Sequence, residues 1–192
     1  LYILHVRMAS VSSISITSIA SACKTPERVI GMHFFNPAPL MPLVEIIPAI
    51  QTSNDTIKKT MTLSESWKKT TVLCKDTPAF IGNRIGVISG TEITLLTQKY
   101  KFKIEEIDAM TGSLIGRPNT ASFRLTDLIG LDTGDNVSRF IMENVKSDKY
   151  INSLKKLPEP KFMRFLLDNK FLGNKTGKGF YEKTNKKDAK GK

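Results

Sequence analysis

The chain has 192 residues, 40% of them hydrophobic, enough for one substantial core or two small ones. No apolar run reaches the ~18 to 20 residues needed to cross a bilayer, which excludes a transmembrane span. The formal net charge is +11, of which the lysine-rich stretch Lys178 to Lys192 supplies +4 from six lysines and two acids, and no aromatic-interleaved basic motif goes with it; this argues for a solvated tail and against nucleic acid as a partner.

The first 22 residues are Ser-rich and free of acids, which superficially imitates a transit peptide. Cys23 and Cys74 belong to no Cys-x-x-Cys or Cys/His cluster, so a reducing, cytoplasmic compartment and no metal site are expected. Val29 to Phe34 and Leu43 to Ile47 are apolar and β-branched, and Pro37, Pro39 and Pro42 confine the turn between them to non-helical backbone. Thr52 or Ser53 can N-cap a helix with Ile57, Met61 and Trp67 on roughly one side, and Thr71 to Cys74 supplies another short strand. A helix lying between strands is expected of the closing part of an open α/β sheet.

Lys75 to Pro78 marks a boundary, because Pro78 suits the first turn of a helix and biases Thr77 away from helical backbone. Beyond it Ile81, Ile85, Ile88, Leu95 and Leu96 recur near the helical period and predict a long amphipathic helix. Glu92 falls inside that stripe, where a buried hydrogen bond or a subunit contact is expected. Further helices are predicted over 104–114, 121–129, 135–145 and 161–169, the last with Phe162, Phe165 and Leu166 as a core stripe. The expected fold class is therefore α/β followed by all-α, with residues 1–75, 76–183 and a basic tail at 184–192 as its three parts.

The stretch from Gly31 to Ile47 carries the chemistry. If the two runs pair as strands, His33 and Glu45 sit side by side. A histidine's unperturbed titration near neutrality suits it to take a proton from a hydroxyl, and a carboxylate on its other ring nitrogen would fix the tautomer and stabilise the imidazolium. Taken alone, a His and a Glu twelve residues apart would by default be a strand-end histidine and a solvated edge acid.

The words around them change that reading. His33-Phe34-Phe35-Asn36-Pro37-Ala38-Pro39 followed by Leu43-Val44-Glu45-Ile46-Ile47 resembles the signature of the 3-hydroxyacyl-CoA dehydrogenases, NAD-dependent enzymes of fatty-acid β-oxidation. Ser12 to Thr17 looks like the family's Ser-rich strand end, and Lys75-Asp76-Thr77-Pro78-Ala79-Phe80-Ile81-Gly82-Asn83-Arg84 like the opening of its helical domain. Ile107 to Met110, Asp127 to Asp132 and Lys175 to Tyr181 follow in the family's order, so the likeness covers roughly residues 10 to 183. It also argues against the transit-peptide reading, since Ser12 then lies inside the family's first domain.

The resemblance implies a remnant of a Rossmann-type sheet joined to a helical domain like that of 6-phosphogluconate dehydrogenase. It implies that His33 takes the hydroxyl proton while hydride leaves C3 of a 3-hydroxyacyl-CoA for NAD, and that Glu45 orients His33. Ser12 would meet both the substrate hydroxyl and the nicotinamide, Asn83 the substrate oxygen, and Asn36 and Lys175 the cofactor. A homodimer through the helical domain is implied too. Without the resemblance, Asn83 would be a helix-start residue making local hydrogen bonds, Lys175 a solvated lysine, and Gly177 and Gly179 mainly turn formers. Arg117 to Arg124 departs from the common pattern and looks like long forms fused to an enoyl-CoA hydratase module, which implies fusion to or association with such a module. Ser10-Val11 stands where the family usually has Asn-Thr.

A dinucleotide site needs a Gly-x-Gly-x-x-Gly turn between its first strand and helix, and no such turn occurs in the 192 residues. The first residue is Leu. The expectation is therefore an N-terminally truncated chain with impaired NAD binding; the alternative is a non-catalytic oligomerisation or acyl-CoA-binding module derived from the enzyme.

Overall fold

The computed structural model describes residues 6–9 and 14–184. It divides into two compact units, Leu1–Ile85 and Gly86–Lys192. The first holds a four-stranded sheet of β1 (Arg7–Ala9), β2 (Val29–Phe34), β3 (Leu43–Pro48) and β4 (Thr70–Leu73), in that order across the sheet. The β1–β2 and β3–β4 pairs are parallel, and β2–β3 is antiparallel.

Strand side chains alternate between faces, which splits the core in two. Val29 and Ile47 pack with Ile16, Ala20, Cys74 and Phe80 on the face covered by α1 (Ile16–Ser21). Ile30, Met32, Val44 and Ile46 pack on the other face against Ile57 and Met61 of α2 (Asn54–Ser66). The N-terminus of α1 is held by Asp76, whose carboxylate accepts from the amides of Ile16 (3.0 Å) and Thr17 (2.8 Å) and from the Ser15 hydroxyl (2.8 Å). Burial alone would raise the Asp76 pKa, but these donors hold it below the usual range.

Trp67 does not share the face of Ile57 and Met61. It is the C-cap of α2 and is exposed. Ten residues at 3.6 per turn carry it about 280° around the axis from Ile57. The helix closes with the amides of Lys68 and Lys69 on the carbonyls of Glu65 and Ser64, and Lys68 stands in the left-handed region at φ 59°. A side chain pays about 1–2 kcal/mol there, and glycine does not. Lys68 is exposed, so little packing is lost with it. Lys68→Gly is expected to raise stability by about 0.5–1 kcal/mol after the entropy of an unfolded glycine is subtracted, read as a higher urea midpoint at unchanged slope.

The second unit is helical, and α3 (Gly82–Tyr100) begins in the first unit and continues into it. Then come α4 (Ile104–Thr111), α5 (Phe123–Ile129), α6 (Leu131–Asn144), α7 (Lys149–Leu154) and α8 (Lys161–Asp168). Two aspartates organise it. Asp108 accepts from the amides of Ser122, Phe123 and Arg124 at the start of α5 and from the Tyr181 hydroxyl. Asp127 accepts from the amides of Phe180 and Tyr181, both at 2.9 Å, and so ties the C-terminal segment to α5.

Two apolar stripes are less covered than their periodicity suggests. In α3 only Thr97 is buried, while Ile85, Leu96 and, just before the helix, Ile81 are exposed. In α8 no residue is buried: Phe162 meets Phe123 and Phe180 edge-on, but Phe165 is 58% exposed. Periodicity fixes which side of a helix is apolar, and a single chain leaves these sides open. Glu92 is half-buried and accepts from the Tyr150 hydroxyl, which raises the Tyr150 pKa. Among the described residues, no helix is long and apolar enough to cross a membrane.

Candidate active site

The antiparallel register of β2 and β3 pairs His33 with Glu45 directly. Cross-strand partners point to the same face, here the α1 side shared with Val29 and Ile47. Glu45 is therefore drawn into the core, at 2% exposure. A buried carboxylate persists only if its oxygens are hydrogen-bonded, and both are. Oε2 meets His33 Nδ1 at 2.6 Å. Oε1 accepts from the Gly82 amide at 2.8 Å, the Ile81 amide at 3.0 Å and the Cys74 thiol at 3.6 Å.

These partners decide the charge. Burial pushes the Glu45 pKa up, but the His33 hydrogen bond, the two amides and the attraction of His33 together bring it below the ordinary value. Burial and the adjacent Glu45 charge push the Cys74 thiol up to about 12, so it stays a donor. With Glu45 ionised, Nδ1 carries the hydrogen of the pair and Nε2 of the neutral ring carries the lone pair. No partner among the described residues takes Nε2. Phe35 and Phe80 flank the imidazole at ring-centre distances of 4.9 and 5.8 Å, apolar walls that restrict its rotation. The arrangement can accept a proton at Nε2 and stabilise the resulting imidazolium from Nδ1.

The other sequence-predicted residues are placed as follows. Asn83 is the second residue of α3, directly after the amide that binds Glu45; it is half-buried, and its side chain makes no hydrogen bond among the described residues, local ones included. Asn36 is exposed, three residues beyond His33, where the chain leaves β2. Lys175 lies in the second unit and forms an ion pair with Asp132, lowering the Asp132 pKa. Ser12 lies outside the described residues. The structure thus joins His33 to Glu45, and sets Asn83 beside the Glu45 anchor. Sequence reasoning missed Cys74 and the Ile81 and Gly82 amides as holders of Glu45.

Two family models match the chain: the NAD binding domain of 3-hydroxyacyl-CoA dehydrogenase over residues 5–77 and its C-terminal domain over residues 80–183. A probable 3-hydroxyacyl-CoA dehydrogenase of Bacillus subtilis is 40% identical over 159 residues, covering 82% of this chain and 20% of the relative. The mitochondrial hydroxyacyl-coenzyme A dehydrogenase of Sus scrofa is 38% identical over 174 residues, covering 91% of this chain and 53% of the relative. Among solved structures, (S)-3-hydroxybutyryl-CoA dehydrogenase from Ralstonia eutropha superposes with a TM-score of 0.80 at 33% identity, covering 93% of this chain and 60% of that one. The chain thus spans a fifth to about three fifths of the length of these relatives. With matched domains on both sides of the boundary between sheet and helices, it belongs to the 3-hydroxyacyl-CoA dehydrogenase family.

Proposed function

We propose that this chain carries the proton-transfer part of an NAD-dependent dehydrogenase that oxidises the C3 hydroxyl of a 3-hydroxyacyl-CoA to the ketone, as in fatty-acid β-oxidation. The observation that carries this reading is the His33–Glu45 pair, a buried ionised carboxylate on Nδ1 with no partner on Nε2 among the described residues. Nε2 takes the hydroxyl proton, and Glu45 holds the ring and stabilises the imidazolium. Asn83 donates its amide to the developing carbonyl oxygen, and the Ser12 hydroxyl bridges substrate and cofactor. NAD, when bound, accepts the hydride from C3.

The strand end with its open Nε2 fits the nicotinamide side of the cofactor. Asn36 orders the loop on that side. Lys175 serves the cofactor too, and its solvent-exposed pair with Asp132 is weak enough to leave. For the pyrophosphate there is no Gly-x-Gly-x-x-Gly turn in the 192 residues. In this reading residues 1–75 are the C-terminal portion of the dinucleotide-binding domain, residues 76–183 are the helical domain, and the chain alone binds NAD weakly. The open apolar faces of α3 and α8 support a homodimer through the helical domain, and the Arg117 to Arg124 variant supports association with a hydratase module.

The test is NADH oxidation with acetoacetyl-CoA, comparing the 192-residue chain with a form lengthened at its N-terminus by the glycine-rich strand-turn-helix unit of a relative. Activity only in the lengthened form is expected, together with NAD affinity of the 192-residue chain weaker than micromolar by calorimetry. Activity in neither would favour the non-catalytic oligomerisation or acyl-CoA-binding module. Micromolar NAD affinity of the shorter chain would overturn the reading of its cofactor site.

A further inference from the structure

The loop that leaves β2 after His33 has little means of holding itself. Pro37, Pro39 and Pro42 lack amide hydrogens, and the internal bonds of the loop are the Leu40 and Met41 amides on the Pro37 carbonyl, both at 3.0 Å. The carbonyls of Ala38, Pro39 and Met41 need donors from elsewhere. Lys69 supplies them: its Nζ lies 2.6 Å from the Ala38 oxygen, 2.7 Å from the Met41 oxygen and 3.4 Å from the Pro39 oxygen. An ammonium has three donors and no acceptor, and bonds from a charged donor are about twice as strong as neutral ones.

The backbone sets this up. The left-handed turn at Lys68 ends α2 and sends the chain into β4, where the Thr70 amide takes the Pro42 carbonyl at 2.8 Å and Thr70 pairs with Leu43. Lys69 is thereby anchored on both sides next to the loop. At the other end of the loop stands Phe35, whose ring lies against His33 and within 2.6 Å of where a Cβ on Gly82 would be.

We propose that Lys69 is a positioning residue for His33: its ammonium gathers the three carbonyls, fixes the loop, and so holds Phe35 against the imidazole and Asn36 at the strand end. This deepens the dehydrogenase reading and rests on it for its functional meaning, yet its geometry is testable without NAD or turnover.

The chain has two histidines, His5 and His33, so the ring signals of His33 are assignable by NMR in the 192-residue chain with one substitution. In the unsubstituted chain the Lys69 ammonium is expected as a slowly exchanging ¹⁵N signal; an ammonium exchanging as fast as those of solvated lysines would overturn the proposal. Lys69→Met is expected to shift the His33 ring protons, as Phe35 leaves its place, and to speed exchange of the Leu40 and Met41 amides by about tenfold or more. Lys69→Arg is expected to keep both near the unsubstituted values. A Lys69→Met chain that merely melts earlier, with His33 signals superposing on those of the parent, would reduce Lys69 to a structural lysine. If Lys69→Met does not fold, the ammonium exchange and the Lys69→Arg comparison still decide. Loss of activity in the lengthened enzyme with these signals intact would count against the dehydrogenase reading and leave the clamp standing.

Discussion

His33→Ala, made in a form of the protein that binds NAD, is expected to lower kcat by ~10²- to 10⁴-fold with little change in KM for the acyl-CoA. In the proposed reaction the imidazole acts on the substrate through the hydroxyl proton, so its loss would remove an interaction that develops in the transition state and leave the contacts to the CoA and acyl chain untouched. Glu45→Gln is expected to follow the same pattern. A glutamine amide at Oε2 can present a hydrogen to Nδ1, which would move the ring hydrogen to Nε2 and block proton acceptance there. Steady-state kinetics on both variants, with circular dichroism to establish folding, are the measurement. An unchanged kcat in His33→Ala would remove the general-base assignment, and a raised KM at constant kcat would make His33 a binding residue.

The juxtaposition of His33 and Glu45 was legible because three local signals agree. Two β-branched runs, a proline-limited turn and a twelve-residue separation leave the antiparallel register as the simple solution, and the register follows. The other side of Glu45 was not legible. Its donors are backbone amides 36 and 37 residues away, and an amide has no sequence signature. The Asp76 cap of α1 fails for the same reason, since its targets lie about 60 residues upstream.

Helix α2 shows a second limit. Its fully buried positions are Thr56, Thr60 and Ser64, polar residues that a hydropathy stripe passes over. The hydroxyls of Thr60 and Ser64 bond the carbonyls four residues back, at 2.8 Å each, so these small side chains enter the interior already satisfied. Conversely, Ile85 and Phe165 obey the helical period and stay exposed. A pattern of residues along one helix carries no information about what lies opposite it.

Asp127→Ala is expected to destabilise the chain by about 3–5 kcal/mol, one of the largest effects of any single substitution in the helical unit. The carboxylate is 3% exposed, and its two oxygens take the amides of Phe180 and Tyr181. Truncation leaves both donors without acceptors, at about 1–3 kcal/mol each, and loosens Phe180 from the rings of Phe123 and Phe162. Gly179 is bound up with the same contact. Its φ is not left-handed, so its role is not to permit a turn, as its sequence context suggests; a Cβ there would sit 2.1 Å from Asp127 Oδ1. Gly179→Ala must therefore displace the carboxylate or the segment it holds, and a cost of about 2–4 kcal/mol is expected. Because both substitutions act on one contact, the double variant should cost clearly less than the two added together. Urea unfolding of the four chains of this cycle is the check. Additive losses would mean that Gly179 and Asp127 act separately, and a loss below about 1 kcal/mol for Asp127→Ala would mean that water replaces the carboxylate at the two amides.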